Sequence, residues 1–216
     1  MMDYSSGFDT GADNKVDFEP GEQRGARRYT SLIRAAKLVC SAGEYICVIR
    51  DVSATGISLR TFHRLPDDRT ITLELQNGES YSLTQVRRAD CEASYQFEKP
   101  VEVERLIRET WRYPKRQLRL NIAIPLQMTS LTIGGEAQTV NLSQQGARVK
   151  CDTSFAIDQR LRVFGPSFRE TRATVRWRRD GYYGLVFDST FSLREFALMA
   201  ASVQCPSLLE ETPNAA

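Results

Sequence analysis

The chain repeats itself with an offset of 90 residues. Residues 51–56 (DVSATG) and residues 141–146 (NLSQQG) share the pattern Asp/Asn-x-Ser-x-x-Gly within the 216 residues. Further matches at the same offset pair Arg60 with Lys150, Arg88 with Arg178, Asp90 with Asp180, Phe97 with Phe187 and Glu98 with Asp188. Similarity that stays in register over this length indicates two copies of one structural unit. We therefore predict two domains, at residues 23–111 and 112–203.

Each copy has the pattern of short strands joined by tight turns. The first copy contains six runs of β-branched or alternating residues, at residues 35–40, 45–50, 57–62, 70–75, 81–88 and 94–99. Runs of this length and spacing predict an all-β unit, either a small barrel or a sandwich. Asn77-Gly78 and Asp180-Gly181 predict type I′ hairpin turns, because both central residues of that turn need a positive φ.

A short helix is predicted at the end of each copy. The first would occupy residues 101–111 (VEVERLIRETW), and its apolar stripe could cover an open barrel end. That stripe consists of Val103, Leu106, Ile107 and Trp111. In the second copy, Ser192 and Glu195 have the spacing of a capping box, and residues 196–203 (FALMAASV) continue the helix.

The two ends of the chain have a different composition from the repeats. Residues 1–22 contain six acidic side chains and one lysine, a net charge of −5 against +2 for the whole chain, which leaves +7 on the remainder. Residues 1–22 and 204–216 show no periodicity, and we expect both tails to be disordered. The basic balance of the remainder suits a partner that carries phosphate.

The residue inventory speaks against catalytic and metal-binding classes of protein. The single histidine, His63, lies beside a Pro-Asp turn and is expected to be an exposed structural residue. The five cysteines are odd in number and form no C-x-x-C pair, so we expect reduced, mostly buried thiols and no zinc site. No glycine-rich phosphate-binding loop occurs. These features predict a protein that is not an enzyme and holds no metal or cofactor.

The sequence also gives expectations about location. No apolar stretch approaches the roughly 20 residues needed to cross a bilayer, so we expect no membrane insertion. The N-terminal residues lack the basic and apolar regions of a secretory signal. Cytoplasmic residence is therefore predicted.

A basic cluster precedes each Asp/Asn-x-Ser-x-x-Gly motif. The first cluster contains Arg24, Arg27 and Arg28, and the second contains Arg112, Lys115, Arg116 and Arg119. The spacing R-x-x-x-R is met by Arg24 and Arg28. In the second cluster it is met by Arg112 and Arg116, but Lys115 and Arg119 have the same separation, which leaves the register there open.

This combination resembles the PilZ domain family, whose members carry an R-x-x-x-R segment ahead of the Asp/Asn-x-Ser-x-x-Gly motif. The resemblance covers both copies. It implies an all-β fold of two six-stranded β-barrels in tandem, each followed by a short C-terminal helix. It also implies that the chain is a receptor for the second messenger cyclic di-GMP and has a protein effector that the sequence does not identify.

The resemblance implies a ligand-binding residue set whose chemistry suits a cyclic dinucleotide. The set is Arg24, Arg27, Arg28, Asp51, Ser53, Gly56, Arg112, Arg116, Arg119, Asn141, Ser143 and Gly146. Guanidinium groups bind phosphate through two bonds and stack on guanine. Asp51 or Asn141 would bond a guanine edge, and the serine hydroxyls would donate to phosphate. Each glycine would adopt a positive φ or leave room for the base.

Two other functions stay open. A degenerate tandem could bind protein instead of nucleotide, through an exposed aromatic patch of Tyr113, Trp177, Tyr182 and Tyr183. The first copy has Arg87 and Ser94 where the second has Trp177 and Gly184, a departure from the family pattern. Nucleic-acid binding through residues 176–184 (RWRRDGYYG) is disfavoured, because a charge of +7 over two domains is low for that role.

Overall fold

A computed structural model describes residues 29–107 and 117–210. The first group of strands is β1 (Tyr29–Cys40), β2 (Gly43–Val52), β3 (Gly56–Arg60), β4 (Thr70–Glu74), β5 (Ser80–Ala89) and β6 (Glu92–Phe97), followed by helix α1 (Val103–Ile107). The second group is β7 (Pro125–Thr129), β8 (Gly134–Ser143), β9 (Gly146–Cys151), β10 (Arg160–Gly165), β11 (Phe168–Arg179) and β12 (Tyr182–Phe187), followed by helix α2 (Leu193–Gln204).

The strands close into two antiparallel barrels with the same connectivity. Barrel 1 has the order β1-β2-β3-β6-β5-β4, and barrel 2 has the order β7-β8-β9-β12-β11-β10 around the ring. Closure pairs β1 with β4 and β7 with β10, so neither sheet has an open edge. The predicted all-β fold of two six-stranded barrels in tandem is confirmed. Of the two architectures that the strand pattern predicted, each unit is a barrel and not a sandwich.

The two predicted type I′ turns have different outcomes. Asp180 (φ 52°) and Gly181 (φ 75°) both have a positive φ, as predicted. The prediction for Asn77-Gly78 is wrong, because only Gly78 (φ 88°) has a positive φ. Leu75 and Glu79 bracket a three-residue loop in which the Gly78 N–H donates to the Leu75 carbonyl (3.0 Å). A type I turn followed by one left-handed glycine explains this loop.

Side chains that alternate along the strands fill the interior of each barrel. In β2, Tyr45, Cys47 and Ile49 point into barrel 1 and are fully buried. Helix α1 covers this barrel with Leu106, which is buried in the same core. The Arg34 guanidinium donates to the Leu106 carbonyl at 2.5 Å and holds α1 against β1. The predicted helix beyond Ile107, including Trp111, lies outside the described residues.

Helix α2 begins with the predicted capping box. The Ser192 hydroxyl accepts from the Glu195 N–H, and the Glu195 carboxylate accepts from the Ser192 N–H at 2.8 Å, which confirms that prediction. The helix then packs between the barrels: Phe196, Ala197 and Ala200 belong to the core of barrel 2, whereas Ala201 belongs to the core of barrel 1. Ile46, on the outer face of β2, packs into the cluster of barrel 2.

The C-terminal segment is more ordered than the sequence indicates. Residues from 204 onward were expected to form a disordered tail, but Gln204 ends α2 and Pro206–Leu209 form a short 3-10 helix. Leu208 is buried in barrel 1, and its carbonyl accepts from the Arg64 N–H at 3.0 Å. Residues 211–216 lie outside the described part, as do residues 1–28. The predicted domain boundary at residues 111 and 112 also lies outside it and stays a prediction.

Within the described ranges, no helix is both long enough and apolar enough to span a membrane.

Candidate functional site

The Asp/Asn-x-Ser-x-x-Gly motif forms the same tight turn in both barrels, between β2 and β3 and between β8 and β9. The Ser53 hydroxyl donates to the Gly56 carbonyl (3.2 Å) and accepts from the Gly56 N–H (3.0 Å). The Ser143 hydroxyl donates to the Gly146 carbonyl at 3.1 Å. Each hydroxyl therefore closes its own turn in this structure, and its role as a phosphate donor stays a prediction.

The two motif glycines do not have the predicted backbone conformation. Neither Gly56 nor Gly146 has a positive φ, so the first of the two alternatives is wrong, and the other alternative, room for the base, stays a prediction. Gly146 is required for a different reason, since a Cβ there would collide with the carbonyl oxygen of Leu185 on β12. Gly56 has more room, because a Cβ there would lie 3.4 Å from the backbone carbonyl oxygen of Tyr95. The close approach of two strands makes only the second glycine obligatory.

Asp51 lies in a pocket of about 300 Å³ on the outer surface of barrel 1. The pocket is also lined by Arg50 and Arg87 and by the facing hydroxyls of Ser58 and Ser94, which are 3.4 Å apart. Neither the two guanidinium groups nor the Asp51 carboxylate has a hydrogen bond or ion pair with another described residue. Neither Arg50 and Ser58 nor the pocket position of Arg87 was predicted from the sequence, although a comparison of strand partners across the repeat would have identified Arg87 and Ser94.

The corresponding surface of barrel 2 is covered by aromatic side chains. Trp177 lies opposite Gly184 in the β11–β12 pair, and its indole occupies the space that a Cβ on residue 184 would need. Arg148 stacks on Tyr182, with the guanidinium carbon 4.4 Å from the ring centroid. Arg87 and Ser94 replace the Trp–Gly pair in barrel 1, and this exchange leaves the pocket open.

A second cavity, of about 760 Å³, lies between the barrels. We call it the inter-barrel groove. Barrel 2 lines it with Arg119, Ser143 and Gly146, three of the residues predicted to bind ligand. Barrel 1 lines it with Lys37 on β1 and Glu74 on β4. The structure therefore brings the motif turn of barrel 2 and one arginine of the second cluster to one place.

Strand pairing aligns the two arginine clusters. Leu120 forms a bridge with Leu142, as Tyr29 does with Val52 in barrel 1. Leu120 thus corresponds to Tyr29, one position away from the 90-residue register. By the same shift Arg119 corresponds to Arg28 and Lys115 to Arg24, which favours the Lys115/Arg119 register. Arg24, Arg27, Arg28, Arg112 and Arg116 themselves lie outside the described residues.

The aromatic patch proposed for protein binding is only partly at the surface. Tyr183 is 5% exposed, packs edge-on against Phe155 and donates its hydroxyl to the Thr153 carbonyl at 3.0 Å. Its predicted exposure is therefore wrong. Trp177 is 42% exposed, Tyr182 is half-buried, and Tyr113 lies outside the described residues.

In the basic hairpin considered for nucleic-acid binding, three arginines contact acceptors of their own barrel. Arg176 pairs with Asp158 (3.4 Å), Arg179 pairs with Asp180 (3.2 Å), and Arg178 donates to the Phe155 carbonyl at 3.0 Å. Guanidinium groups held this way are less available to a phosphate backbone.

His63 and the cysteines are packing residues in this structure. His63 is buried, which corrects the expectation of an exposed side chain, and this burial lowers its pKa. Burial also raises the pKa of the Cys40 thiol to about 12, so this group stays a thiol at neutral pH. All five cysteines are free, and within the described residues no three metal-ligating side chains come together.

Comparison with known proteins gives one family match, and it covers the second half of the chain. Residues 106–204 match the model of the PilZ domain. This range contains barrel 2 and α2. The likeness of barrel 1 to barrel 2 rests on the shared strand order. No curated protein matches the chain.

Several solved structures are similar to the chain. The PlzA protein of Borreliella burgdorferi in complex with c-di-GMP is 11% identical, with 81% of this chain and 88% of that one covered, at a TM-score of 0.33. The Bacillus subtilis inhibitor of motility, MotI/DgrA, is 16% identical over 78% of this chain and 93% of that one, at a TM-score of 0.32. The PilZ domain of CeSA from a cellulose-synthesizing bacterium is 16% identical over 40% of this chain and 94% of that one, at a TM-score of 0.31.

Proposed function

We propose that this chain is a receptor for cyclic di-GMP and that its PilZ domain at residues 106–204 binds the ligand in the inter-barrel groove. One observation carries the proposal: this domain holds Arg119 and the Ser143–Gly146 turn side by side on the groove. The groove, at about 760 Å³, falls within the range of small-molecule sites.

The chemistry of the groove suits a phosphodiester that carries purine bases. Arg119 is exposed and has no ion pair with another described residue, so its guanidinium is free to bind phosphate through two bonds or to stack on a base. Gly146 presents its backbone without a side chain beside the Ser143 hydroxyl. Asn141, two residues before Ser143 on β8, would bond a guanine edge.

The residues that lie outside the described ranges complete this proposal. We propose that Arg112, Lys115 and Arg116 reach the same ligand ahead of Arg119, with Lys115 in the place of Arg24. Each guanidinium of this segment would add a charge-assisted hydrogen bond to a ligand phosphate.

We propose a second, PilZ-like site in the pocket of barrel 1. The Asp51 carboxylate would accept from the N1–H and N2–H₂ groups of guanine, and Arg50 and Arg87, whose side chains have no ion pair with another described residue, supply cations beside it. Arg24, Arg27 and Arg28 precede this barrel and would contribute phosphate contacts. Ser53 and Gly56 form the adjoining turn, as Ser143 and Gly146 do in barrel 2.

In this proposal the protein transmits the binding event to a protein effector in the cytoplasm and catalyses no reaction. The ligand itself is the only small molecule required. Neither a metal nor a cofactor is needed for guanidinium and carboxylate groups to recognise a guanine dinucleotide.

Isothermal titration of the full chain with cyclic di-GMP tests the function. We expect saturable binding that Arg119→Ala weakens at least tenfold if the groove is the main site, because a charge-assisted phosphate contact is lost. Asp51→Ala tests the barrel 1 pocket in the same way. Arg194→Ala, an exposed arginine on α2, is the matched control and should bind as the unchanged chain does.

The outcomes separate the candidates. Loss of binding in Arg119→Ala alone assigns the ligand to the groove, and loss in Asp51→Ala alone assigns it to barrel 1. Absence of binding by the unchanged chain up to high micromolar ligand contradicts the receptor function and favours a module that binds protein.

A further inference from the structure

We propose, on the basis of the proposed function, that barrel 1 supplies a residue that reads one of the two guanines in the inter-barrel groove. Glu74 on β4 would accept hydrogen bonds from the N1–H and N2–H₂ groups of one guanine, and Lys37 on β1 would hold its carboxylate in position. The PilZ domain would then bind phosphate and, through Asn141, one guanine edge, and the other barrel would select the second guanine.

The two side chains form an ion pair across neighbouring strands. Lys37 and Glu74 are directly opposite in the β1–β4 register, and the Lys37 ammonium lies 2.6 Å from a Glu74 carboxylate oxygen. Both line the groove that Arg119, Ser143 and Gly146 line from the other side. A ligand that contacts the motif turn of barrel 2 therefore lies next to this pair.

The surroundings of Lys37 distinguish the pair from an ordinary surface ion pair. Lys37 is only 8% exposed, which is rare for lysine, and it bridges two carboxylates, with Glu44 at 3.3 Å and Glu74 at 2.6 Å. Two acids on one buried lysine leave one negative charge unbalanced. Since the Glu74 side chain is 39% exposed, that carboxylate faces the groove and keeps free lone pairs.

The donor pattern of guanine matches a carboxylate held in this way. Guanine presents two adjacent N–H donors on its Watson–Crick edge, and an ionised carboxylate has two acceptor oxygens and no donor. Adenine has an acceptor at N1 and no amino group at C2. In the same position it would place an acceptor against the carboxylate and leave a carboxylate oxygen without a donor. A site that hydrogen-bonds a donor pair rejects the analogue lacking it, because its polar groups are left without partners.

The same lysine connects the groove to the contact between the barrels. Glu44, the second partner of Lys37, accepts from the Asn121 backbone N–H (2.7 Å) and from its side-chain amide (2.8 Å). Asn121 lies two residues after Arg119. Residues on both sides of the groove are therefore fixed to one another before any ligand binds, and such preorganisation lowers the entropic cost of binding.

Titration of the full chain with cyclic di-GMP and with cyclic di-AMP tests this proposal. Glu74→Gln retains the size of the side chain but replaces one acceptor with a donor. We expect it to lower the affinity for cyclic di-GMP at least tenfold and to change the affinity for cyclic di-AMP less than twofold. Glu170→Gln is the matched control, because Glu170 also forms an ion pair, with Arg162 on the neighbouring strand, but lies on β11 outside the groove.

Lys37 is a positioning residue, so its test is the ratio of the two affinities. Lys37→Met should reduce the preference for cyclic di-GMP, and Lys37→Arg should restore it. Should Lys37→Met fail to fold, Glu74→Gln decides alone, because Glu74 is partly exposed and its loss buries no unpaired charge.

The results distinguish the two proposals. Cyclic di-GMP binding that Glu74→Gln leaves unchanged, or that falls equally for both dinucleotides, overturns base reading by Glu74 but leaves the receptor function standing. A chain that binds neither dinucleotide overturns both proposals. A loss confined to cyclic di-GMP supports the proposal.

Discussion

His63 shows how one residue links burial to pH dependence. Its Nδ1 donates to the Arg64 carbonyl at 2.7 Å, which fixes the tautomer and leaves Nε2 unprotonated. Nε2 is buried and has no hydrogen-bond partner among the described residues. The ring packs against Tyr45 with centroids 5.2 Å apart. Protonation would place a charge and an unpaired N–H in this apolar site, so burial lowers the pKa of His63 below its ordinary 6.5.

We predict that the chain loses stability as the pH falls below about 6.5. The folded-state pKa of His63 is lowered, so the unfolded chain takes up the proton first. The free energy of unfolding should decrease by at most about 1.4 kcal/mol per pH unit until the folded-state pKa is reached. His63 is the only histidine, so urea denaturation of the unchanged chain and of His63→Gln between pH 5 and 8 isolates its effect. Parallel stability curves would contradict the prediction.

At the scale of elements, the two motif turns are similar in sequence but differ in packing. Both are closed by a serine hydroxyl, and in both the strand pair that the turn connects has a register shift just before the turn. In barrel 2, however, β9 approaches β12 so closely at residue 146 that no side chain fits. The same motif position is therefore constrained by backbone contact in one barrel and much less in the other.

Gly146→Ala and Gly56→Ala should consequently have different effects on stability. The added methyl at residue 146 meets backbone, which cannot rotate away, and we expect a loss of about 1–3 kcal/mol. At residue 56 the change should stay within about 1 kcal/mol, since the methyl fits and the unfolded chain loses freedom. Thermal and urea unfolding of the two variants measure this directly. Equal losses would show that the close approach does not decide which glycine is required.

At the scale of the whole molecule, α2 and the outer face of β2 hold the barrels together. Ala201 and Ile46 each pack into the core of the barrel opposite to their own. Gln204, the last residue of α2, accepts from the Glu44 N–H (2.8 Å) and donates to the Glu44 carbonyl (2.7 Å). The amide of Gln204 thus satisfies both backbone groups of a residue in the other barrel.

Replacement of Gln204 should loosen the contact between the barrels. Gln204→Ala leaves the Glu44 backbone groups without these partners, and we expect a loss of about 1–3 kcal/mol. Unfolding should become less cooperative, and small-angle scattering should give a larger radius of gyration. Gln138→Ala, on the exposed face of β8, is the control and should change neither. An unchanged scattering profile for Gln204→Ala would show that apolar packing alone fixes the arrangement.

The sequence by itself determined the features that depend on local patterns. The 90-residue repeat predicted two equal units, and alternation along the runs predicted their strands. The capping box and the Asp180-Gly181 turn were also predictable, because their geometry depends on residues within four positions of each other. The resemblance of the second copy to the PilZ family is confirmed by the match at residues 106–204.

Only the tertiary structure decided the features that join distant parts of the chain. The groove is lined by Lys37 and Glu74 together with Arg119, the bridge at Leu120 favours one arginine register, and Leu208 folds back on barrel 1. Periodicity shows which side of a strand is buried but does not show which element will cover it. These contacts depend on how two closed barrels and one helix pack, so no single segment of sequence contains them.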